Sequence, residues 1–268
     1  MSDVGKFYNT DAMGEWNRLD KHRTEFAITM RAFEECLPPA PARILDIGGG
    51  PGRYAIELTK LGYEVGLIDI AQANIDLAHS KASKAGVDLH LCQQGTAVKL
   101  EGVATASYDV VLLMGPLYHL IEQNDRANAI REAVRVTKPG GLPCAAFINK
   151  MSPLRYAAAH DPTSLAKHRA NFEELINDGI LREPACFTDI FAIHPVEIAP
   201  LMESFGLETL KLINCEGLVG TIDAPVNDTD GDLWEEWVNL NYRYATDPSL
   251  LGASDHLLYI GRCAAVPG

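Results

Sequence analysis

The chain of 268 residues has little positive charge, no paired cysteines and no long apolar run. It contains 23 lysines and arginines against 36 aspartates and glutamates, which gives a formal net charge of −13. A chain with this charge repels a polyanion at long range, so we expect no nucleic-acid partner. The six cysteines form no Cys-x-x-Cys pair, which argues against a metal site of the zinc type and for reduced thiols in a cytoplasmic protein.

Signals for membrane insertion and for secretion are also missing. No apolar run approaches the roughly 18–20 residues that a membrane span needs. The acidic N-terminus lacks the apolar core of a signal peptide. We therefore expect no membrane partner, a cytoplasmic location and a small-molecule ligand, while the oligomeric state stays open.

A glycine-rich turn follows the first predicted strand, Arg43–Ile47, and precedes a segment with the apolar spacing of a helix. The glycines of this turn are Gly48, Gly49, Gly50 and Gly52. Such a turn lets a ligand approach backbone N–H groups with no Cβ in the way. Asp69 ends the next predicted strand, 21 positions after Gly48, where a carboxylate accepts hydrogen bonds from a ribose. The turn therefore predicts a ribose-bearing ligand.

Two kinds of cofactor compete for this turn. A dinucleotide site has the spacing G-x-G-x-x-G, and its third glycine allows close packing of helix on strand. Arg53 occupies that third position here, and the observed spacing is instead Asp46-x-Gly48-x-Gly50-x-Gly52. The dinucleotide spacing is thus incomplete, and an NAD-dependent oxidoreductase is kept as the alternative to the second kind of cofactor.

Predicted strands and helices alternate along most of the chain. The predicted strands are residues 43–47, 64–70, 87–92, 108–114, 142–148, 207–213 and 256–263. This alternation predicts an α/β fold with a Rossmann-like, seven-stranded, mostly parallel sheet and helices on both faces. Its ligand should lie at the carboxyl ends of the strands.

Two helical segments lie outside this alternation, within what we expect to be a single domain over residues 1–268. Residues 1–40 predict a helical N-terminal cap, with one long amphipathic helix over residues 14–37. Residues 150–190 predict a helical insertion after strand five, with helical spacing over residues 152–183. We expect the insertion to lie over the active site.

Four segments, in the correct order, carry a resemblance to a known family. ILDIGGGPGRYAIEL at residues 44–58 resembles the first motif of class I S-adenosylmethionine-dependent methyltransferases. Asp69 matches the acidic end of that family's second strand, YDVVLLMGPLYHL at residues 108–120 resembles its fourth-strand motif, and RVTKPGG at residues 135–141 is similar to the turn before its fifth strand. The resemblance spans roughly residues 40–150, and the GPLYHL variant is similar to a generic small-molecule subgroup.

The resemblance implies that S-adenosyl-L-methionine is the cofactor. The glycine loop would contact its carboxypropyl end, Asp69 would bind the ribose hydroxyls, and Asp46 would fix the loop and face the ammonium group. The family often has Gly-Asp-Ala at the adenine, where this chain has Gly95-Thr96-Ala97. The expected cofactor-binding residues are Asp46, Gly48, Gly50, Gly52, Asp69, Ile70, Thr96, Ala97, Met114, Gly115 and Tyr8.

Tyr118 and His119 follow the fourth strand, where the resemblance places the methyl acceptor. We predict them as catalytic residues, with His119 as a general base because an unperturbed imidazole titrates near neutrality. Alternatively, His119 only hydrogen-bonds the cofactor or the backbone. The predicted function is transfer of a methyl group to an O, N or S atom of a small molecule by in-line displacement. A catalytically inactive S-adenosylmethionine-binding regulatory protein is the other alternative.

Overall fold

A nine-stranded sheet forms the centre of the computed structural model, which describes residues 3–186, 188–222 and 224–265. Its strands are β1 (Arg43–Ile47), β2 (Glu64–Asp69), β3 (Leu91–Gln94), β4 (Tyr108–Leu113), β5 (Thr137–Asn149), β6 (Ile180–Leu181), β7 (Ile190–Ile193), β8 (Leu207–Asn214) and β9 (His256–Cys263). The first five lie in the order β3-β2-β1-β4-β5 and are parallel. β9 pairs antiparallel with β5, and β8 pairs antiparallel with β9.

Helices surround this sheet. In chain order they are α1 (Asp3–Thr10), α2 (Ala12–Lys21), α3 (Arg23–Cys36), α4 (Arg53–Lys60), α5 (Gln72–Ala85), α6 (Pro116–His119), α7 (Gln123–Val136), α8 (Ser152–His160), α9 (Ser164–Lys167), α10 (Arg169–Asp178), α11 (Pro195–Glu203), α12 (Ala224–Asn227), α13 (Gly231–Arg243) and α14 (Pro248–Leu251). A 3-10 helix covers Gly220–Ile222. Among the described residues, no helix has the length and apolarity that crossing a membrane requires.

The central strands are apolar throughout because both faces of the sheet are covered. In β4, Val110 and Leu112 point into one hydrophobic cluster, which includes residues of α3 and α4. Val111 and Leu113 point into a second cluster, which includes residues of α7 and α11. Successive side chains of a strand point to opposite faces, so a strand covered on both sides carries a continuous apolar run. The predicted α/β architecture with helices on both faces is confirmed.

The predicted number of strands was wrong, since the described residues form nine strands rather than seven. The additional pair, β6 and β7, lies at the end of the segment that was predicted to be helical. β7 pairs in parallel with Ile148 and Asn149 of β5, beyond Ala145, where the pairing of β5 with β4 ends. Strands of two and four residues are too short to show an alternating pattern, so the sequence did not distinguish them from the helices before them.

Further boundaries differ from the prediction, among them the start of β5 at Thr137 rather than at residue 142. The single helix expected over residues 14–37 is divided at His22, whose backbone (φ −104°, ψ 55°) is not helical. The third strand begins at Leu91 rather than at residue 87. Its start is fixed by the parallel pairing of Leu91 with Gly66 of β2, which is a tertiary contact.

The N-terminal helices α1 and α2 pack beside the sheet on α5. The side-chain carbonyl of Asn9 in α1 accepts a hydrogen bond from the backbone N–H of Ala73, in the first turn of α5, at 3.1 Å. The ion pair of Arg53 with Asp20 (2.9 Å) joins α4 to α2. These contacts hold the N-terminal cap beside the carboxyl ends of β1 and β2.

Candidate functional site

A cleft with a cavity volume of about 160 Å³ opens at the carboxyl ends of β1, β2 and β4. Parallel strands place the residues that follow them at one edge of the sheet, which is where a ligand is expected. The predicted site residues that line this cleft are Tyr8, Gly48, Gly50, Asp69, Ile70, Thr96, Ala97, Met114, Gly115, Tyr118 and His119. The chain therefore gathers residues from five separate segments around one cleft.

The glycine turn has a backbone that only glycine adopts readily. Gly48, Gly50 and Gly52 have φ values of 68°, 57° and 86°, in the left-handed region that is strained for other residues. Space is also restricted, since a Cβ on Gly48 would lie 2.4 Å from Cγ of Pro116. Gly52 does not line the cleft: it precedes the first residue of α4 and faces α5, so it shapes the turn from behind.

Gly49, which the sequence motif treats as a variable position, is as restricted as its neighbours. A Cβ on Gly49 would lie 2.3 Å from Oδ2 of Asp46 and 2.3 Å from Cδ1 of Leu67. Both of those residues are fully buried. The motif spacing carries no signal for this restriction, because it comes from a contact between the turn and the strand beneath it.

Asp46 lies beneath the glycine turn and does not line the cleft. It is fully buried, and neither carboxylate oxygen has a hydrogen-bond partner among the described residues. Burial and the nearby Asp69 raise the pKa of Asp46 to about 7. The contact with Gly49 agrees with a role in fixing the loop, and the ammonium contact stays a prediction.

Asp69 connects the glycine turn to α5. Its Oδ2 accepts from the backbone N–H of Gly50 at 2.9 Å, and its Oδ1 accepts from the N–H of Ala71 at 2.8 Å and from Nδ2 of Asn74 at 3.0 Å. Burial raises the pKa of Asp69, and these three donors oppose the rise. A carboxylate offers about four lone-pair positions, so these donors leave room for one further donor from a ligand.

Thr96 and Ala97 line the cleft where the resemblance places the adenine. The Oγ1 of Thr96 accepts a hydrogen bond from the N–H of Val98 at 3.4 Å. A threonine hydroxyl can also donate or accept one further hydrogen bond. Its ability to bind an adenine amino group in place of aspartate stays a prediction.

Tyr118 and His119 are on α6, the short helix directly after β4. The hydroxyl of Tyr118 donates to the carbonyl of Met114 at 3.0 Å. Burial raises the pKa of Tyr118, so its hydroxyl stays protonated at neutral pH. With its proton directed at a backbone carbonyl, Tyr118 anchors the loop that carries Met114 and Gly115.

His119 joins three parts of the chain. Its Nε2 lies 2.9 Å from the hydroxyl of Tyr8 in α1, and its Nδ1 lies 3.4 Å from Oγ1 of Thr188 in the insertion. Burial lowers the pKa of His119 to about 4, against the opposing effect of a backbone hydrogen bond with Asp189. The imidazole is therefore neutral at physiological pH and can accept a proton.

The insertion reaches the site through this contact with Thr188. The described residues that line the cleft all belong to residues 4–19, 48–54, 69–74, 95–97 and 114–120. The insertion has a small core of its own, made of residues from α10, β6 and β7. Its expected place over the active site stays a prediction.

Sequence reasoning missed the two charged residues of α2 that line the cleft, Glu15 and Arg18. The Arg18 guanidinium donates to both carboxylate oxygens of Glu25, at 2.7 and 3.1 Å, and to Glu15 at 3.2 Å. Charged residues on an amphipathic helix usually face solvent, and nothing in the sequence marks these two as different. Only the packing of α2 on the cleft identifies them.

A buried ion-pair network, made of Arg18, Glu25, Glu216 and His256, extends from this point into the protein. Nδ1 of His256 lies 2.7 Å from Oε1 of Glu216 and 3.5 Å from Oε2 of Glu25. Burial would lower the pKa of His256, but the two glutamates outweigh it and raise the pKa to about 9. The ligand atoms of Glu25, Glu216 and His256 lie within 4.8 Å of one another. Two carboxylates facing a guanidinium and an imidazolium have balanced charge, so we interpret the cluster as an ion-pair network.

Comparison with known proteins supports the resemblance found in the sequence. Residues 44–141 match the family model described as "Methyltransferase domain". A ubiquinone biosynthesis O-methyltransferase of Methylocella silvestris is 39% identical over 108 residues, which is 40% of each chain. The matched segment thus spans about 40% of the length of that relative.

Solved structures extend the likeness of fold to nearly the whole chain. An S-adenosylmethionine-dependent methyltransferase of Methanosarcina mazei has a TM-score of 0.61 at 19% identity, covering 88% of this chain and 98% of that one. The 1,6-didemethyltoxoflavin N1-methyltransferase of Burkholderia thailandensis, solved with S-adenosylhomocysteine, has a TM-score of 0.59 at 14% identity, covering 97% and 86%. Residues 44–141 thus match the model of a methyltransferase domain, and the fold of nearly the whole chain is similar to that of solved S-adenosylmethionine-dependent methyltransferases.

Proposed function

We propose that this protein transfers the methyl group of S-adenosyl-L-methionine to a small molecule. One observation carries the proposal: the glycine turn, Asp69 and the pair Tyr118–His119 line the same cleft. A cofactor site and an acceptor site that share one cleft can bring a nucleophile close to a methyl group.

The residues present fit this cofactor. Gly48 and Gly50, both with positive φ, line the cleft, and Asp69 has capacity for a donor from a ribose. Asp46 is a buried carboxylate without a hydrogen-bond partner among the described residues, as expected of a group near a cation. Thr96 and Ala97 would contact the adenine, and Met114 and Gly115 the sulfonium end.

The cofactor supplies a methyl group on an electrophilic sulfonium, so the protein mainly has to position the acceptor. We place the acceptor beside the N-terminal cap and α6, where Tyr8, expected above to bind the cofactor, lines the cleft together with Arg18 and His119. Tyr8 and His119 offer polar atoms that can orient the acceptor. We propose His119 and Tyr118 as the catalytic residues of the α6 loop, with Tyr118 holding the loop in place.

An oxygen atom is the first acceptor to test, because curated relatives that match about 40% of the chain are named O-methyltransferases. Nitrogen and sulfur acceptors remain part of the proposal, since those relatives share only about 40% of their length with this chain. We propose a small-molecule acceptor and a cytoplasmic location, with no nucleic-acid or membrane partner, on the basis of the acidic composition.

Isothermal titration calorimetry with S-adenosylmethionine, S-adenosylhomocysteine and NAD tests the cofactor assignment. We expect binding of the first two and none of NAD, and tight binding of NAD alone would overturn it. Asp69→Asn should weaken cofactor binding. The matched control is Asp76→Asn, since Asp76 is exposed on α5 and accepts a hydrogen bond from Gln72.

Turnover is tested by measuring formation of S-adenosylhomocysteine with a panel of phenols, alcohols, amines and thiols. Formation of S-adenosylhomocysteine with one class of acceptor would identify the acceptor atom. Cofactor binding without turnover of any compound, including extracts of small metabolites, would instead favour the regulatory alternative.

A further inference from the structure

We propose that Tyr8 and His119 form a proton relay, in which Tyr8 contacts the methyl acceptor and passes its proton to His119. The inference rests on the proposed methyl transfer and adds the class of acceptor. The acceptor would be a small molecule whose nucleophilic atom carries a proton at neutral pH, such as a hydroxyl or a neutral N–H group. In this relay Tyr8 contacts the acceptor, and His119 receives the proton through Tyr8.

The geometry that supports the relay joins two distant parts of the chain. Tyr8 in α1 and His119 in α6 are 111 positions apart, yet the Tyr8 hydroxyl lies 2.9 Å from Nε2 of His119. Their rings meet edge to face, with centroids 5.5 Å apart. Both residues line the cleft. The hydroxyl of Tyr118, the other tyrosine beside His119, already donates to a backbone carbonyl and takes no part.

The direction of the hydrogen bond follows from the surroundings of each ring. Burial, Glu15 and Tyr118 raise the pKa of Tyr8, so its hydroxyl keeps its proton. A hydrogen bond with the backbone of Asp189 raises the pKa of His119. A hydrogen bond raises the pKa of an imidazole when the ring N–H donates it, so the Asp189 group that accepts is the backbone carbonyl. Because Nδ1 faces the neighbouring Thr188, we place the ring proton on Nδ1. Nε2 then accepts from the hydroxyl of Tyr8.

This arrangement leaves lone pairs on the phenolic oxygen of Tyr8, since a hydroxyl both donates and accepts hydrogen bonds. The O–H or N–H group of the methyl acceptor can donate a hydrogen bond to one of these lone pairs. As the acceptor's bond to the methyl carbon forms and the methyl–sulfur bond breaks, sulfur keeps the electron pair. The acceptor's proton passes to the oxygen of Tyr8, and the Tyr8 proton passes to Nε2 of His119. The products are methylated acceptor, S-adenosylhomocysteine and an imidazolium that later releases its proton to water.

A weak base is sufficient for this step. A hydroxyl oxygen that gains a third bond, or a neutral N–H nitrogen that gains a fourth, becomes positively charged, and the proton that it carries becomes strongly acidic. The sulfonium loses its positive charge as the imidazolium gains one, so the net charge of the site stays constant. The charged and titratable groups around the pair are Glu15, Asp69, Tyr118 and Arg18, of which Arg18 opposes a second cation.

The tautomer of His119 tests the relay without any acceptor. Long-range ¹⁵N–¹H spectra of the full-length protein with ¹⁵N-labelled histidine distinguish the two tautomers, and His119→Gln assigns the signal. We expect a protonated Nδ1 and a bare Nε2, with the Nε2 resonance shifted in Tyr8→Phe. A protonated Nε2 would overturn the proposal, because such a ring donates to Tyr8 and cannot take its proton.

Two variants separate proton transfer from simple contact between the cap and α6. Glutamine at position 119 can still accept from Tyr8 but cannot bind a proton, so His119→Gln should keep affinity for S-adenosylhomocysteine. It should lower kcat on a protonated acceptor by about 10²-fold or more. Tyr8→Phe should do the same, and both variants should lower turnover of an already ionised thiol much less than turnover of a protonated acceptor. Equal losses on protonated and ionised acceptors would refute the relay.

The chain offers a matched control for both variants. Tyr156 and His160 form a stacked Tyr–His pair on α8, with centroids 4.1 Å apart, outside the cleft. Tyr156→Phe and His160→Gln should change neither turnover nor affinity. Absence of S-adenosylmethionine binding in the wild type would refute the proposed function, whereas a wrong tautomer with normal binding would refute only the relay.

Discussion

Replacing Gly49 by alanine tests how the glycine turn is held. The backbone of Gly49 is outside the positive-φ region, so alanine meets no conformational strain there and acts through its methyl group alone. That group would lie 2.3 Å from Asp46 Oδ2 and 2.3 Å from Leu67 Cδ1, whereas ordinary contact begins at 3.4 Å. Because both neighbours are fully buried, we expect the turn itself to move, by about 1 Å.

The size of the effect follows from that displacement. Overpacking of this kind lowers the free energy of unfolding by about 1–3 kcal/mol. Each kcal/mol lost lowers Tm by about 2–4 °C in a chain of this size. A shift of about 1 Å in a binding loop can also lower activity by about 10²-fold. We therefore expect Gly49→Ala to lose affinity for S-adenosylhomocysteine far beyond its loss of stability.

Calorimetry with S-adenosylhomocysteine and thermal unfolding measure the two effects on the same protein sample. The matched control is Gly252→Ala, because Gly252 has a φ of −70° and a Cβ there would meet no atom within 4 Å. The control should bind and unfold like the wild type. Unchanged affinity in folded Gly49→Ala would refute the inferred contact of the turn with Asp46.

Three further results are expected. Thr96→Asp should strengthen binding of S-adenosylmethionine by a few-fold to about tenfold in calorimetry, because a carboxylate adds an acceptor for the adenine amino group; weaker binding would contradict that placement. Asp69→Asn should weaken binding of S-adenosylmethionine more than Asp76→Asn, because an amide NH₂ cannot accept hydrogen bonds from the donors that Asp69 satisfies. Equal affinities of the two variants would exclude a role of Asp69 in cofactor binding. The urea midpoint of unfolding should fall as pH rises from about 6.5 to 9. The raised pKa of His256 gives stability that is present at lower pH and is lost when His256 is deprotonated. His256→Gln should flatten this pH dependence, and an unaltered slope in that variant would contradict the prediction.

The local pattern of residues was sufficient to predict the first strand and the glycine turn. Arg43–Ile47 is a strand with the predicted bounds, and Gly48, Gly50 and Asp69 line the cleft. These features depend on neighbours in the sequence: apolar runs form buried strands, and glycine adopts positive φ. The position of Asp69 follows from the parallel pairing of β1 with β2, which alternation of strands and helices already implies.

Features that depend on contacts between distant segments were not predictable in this way. The strands β6 and β7 exist because β5 extends beyond its pairing with β4 and leaves an edge to pair with. The space for a side chain at Gly49 is limited by the side chain of Asp46, a residue of the strand beneath the turn. Arg18 is a cleft residue because α2 packs there, and the sequence shows only a charge on an amphipathic helix.

The sequence by itself determined the fold class and the glycine turn, because both are encoded in short, contiguous motifs. Only the tertiary structure decided which distant residues share the cleft with that turn. The contact of Tyr8 with His119 links residues 111 positions apart, and no local pattern specifies such a distance. The burial of His119, which lowers its pKa to about 4, likewise arises from the packing of the cap and the insertion around one ring.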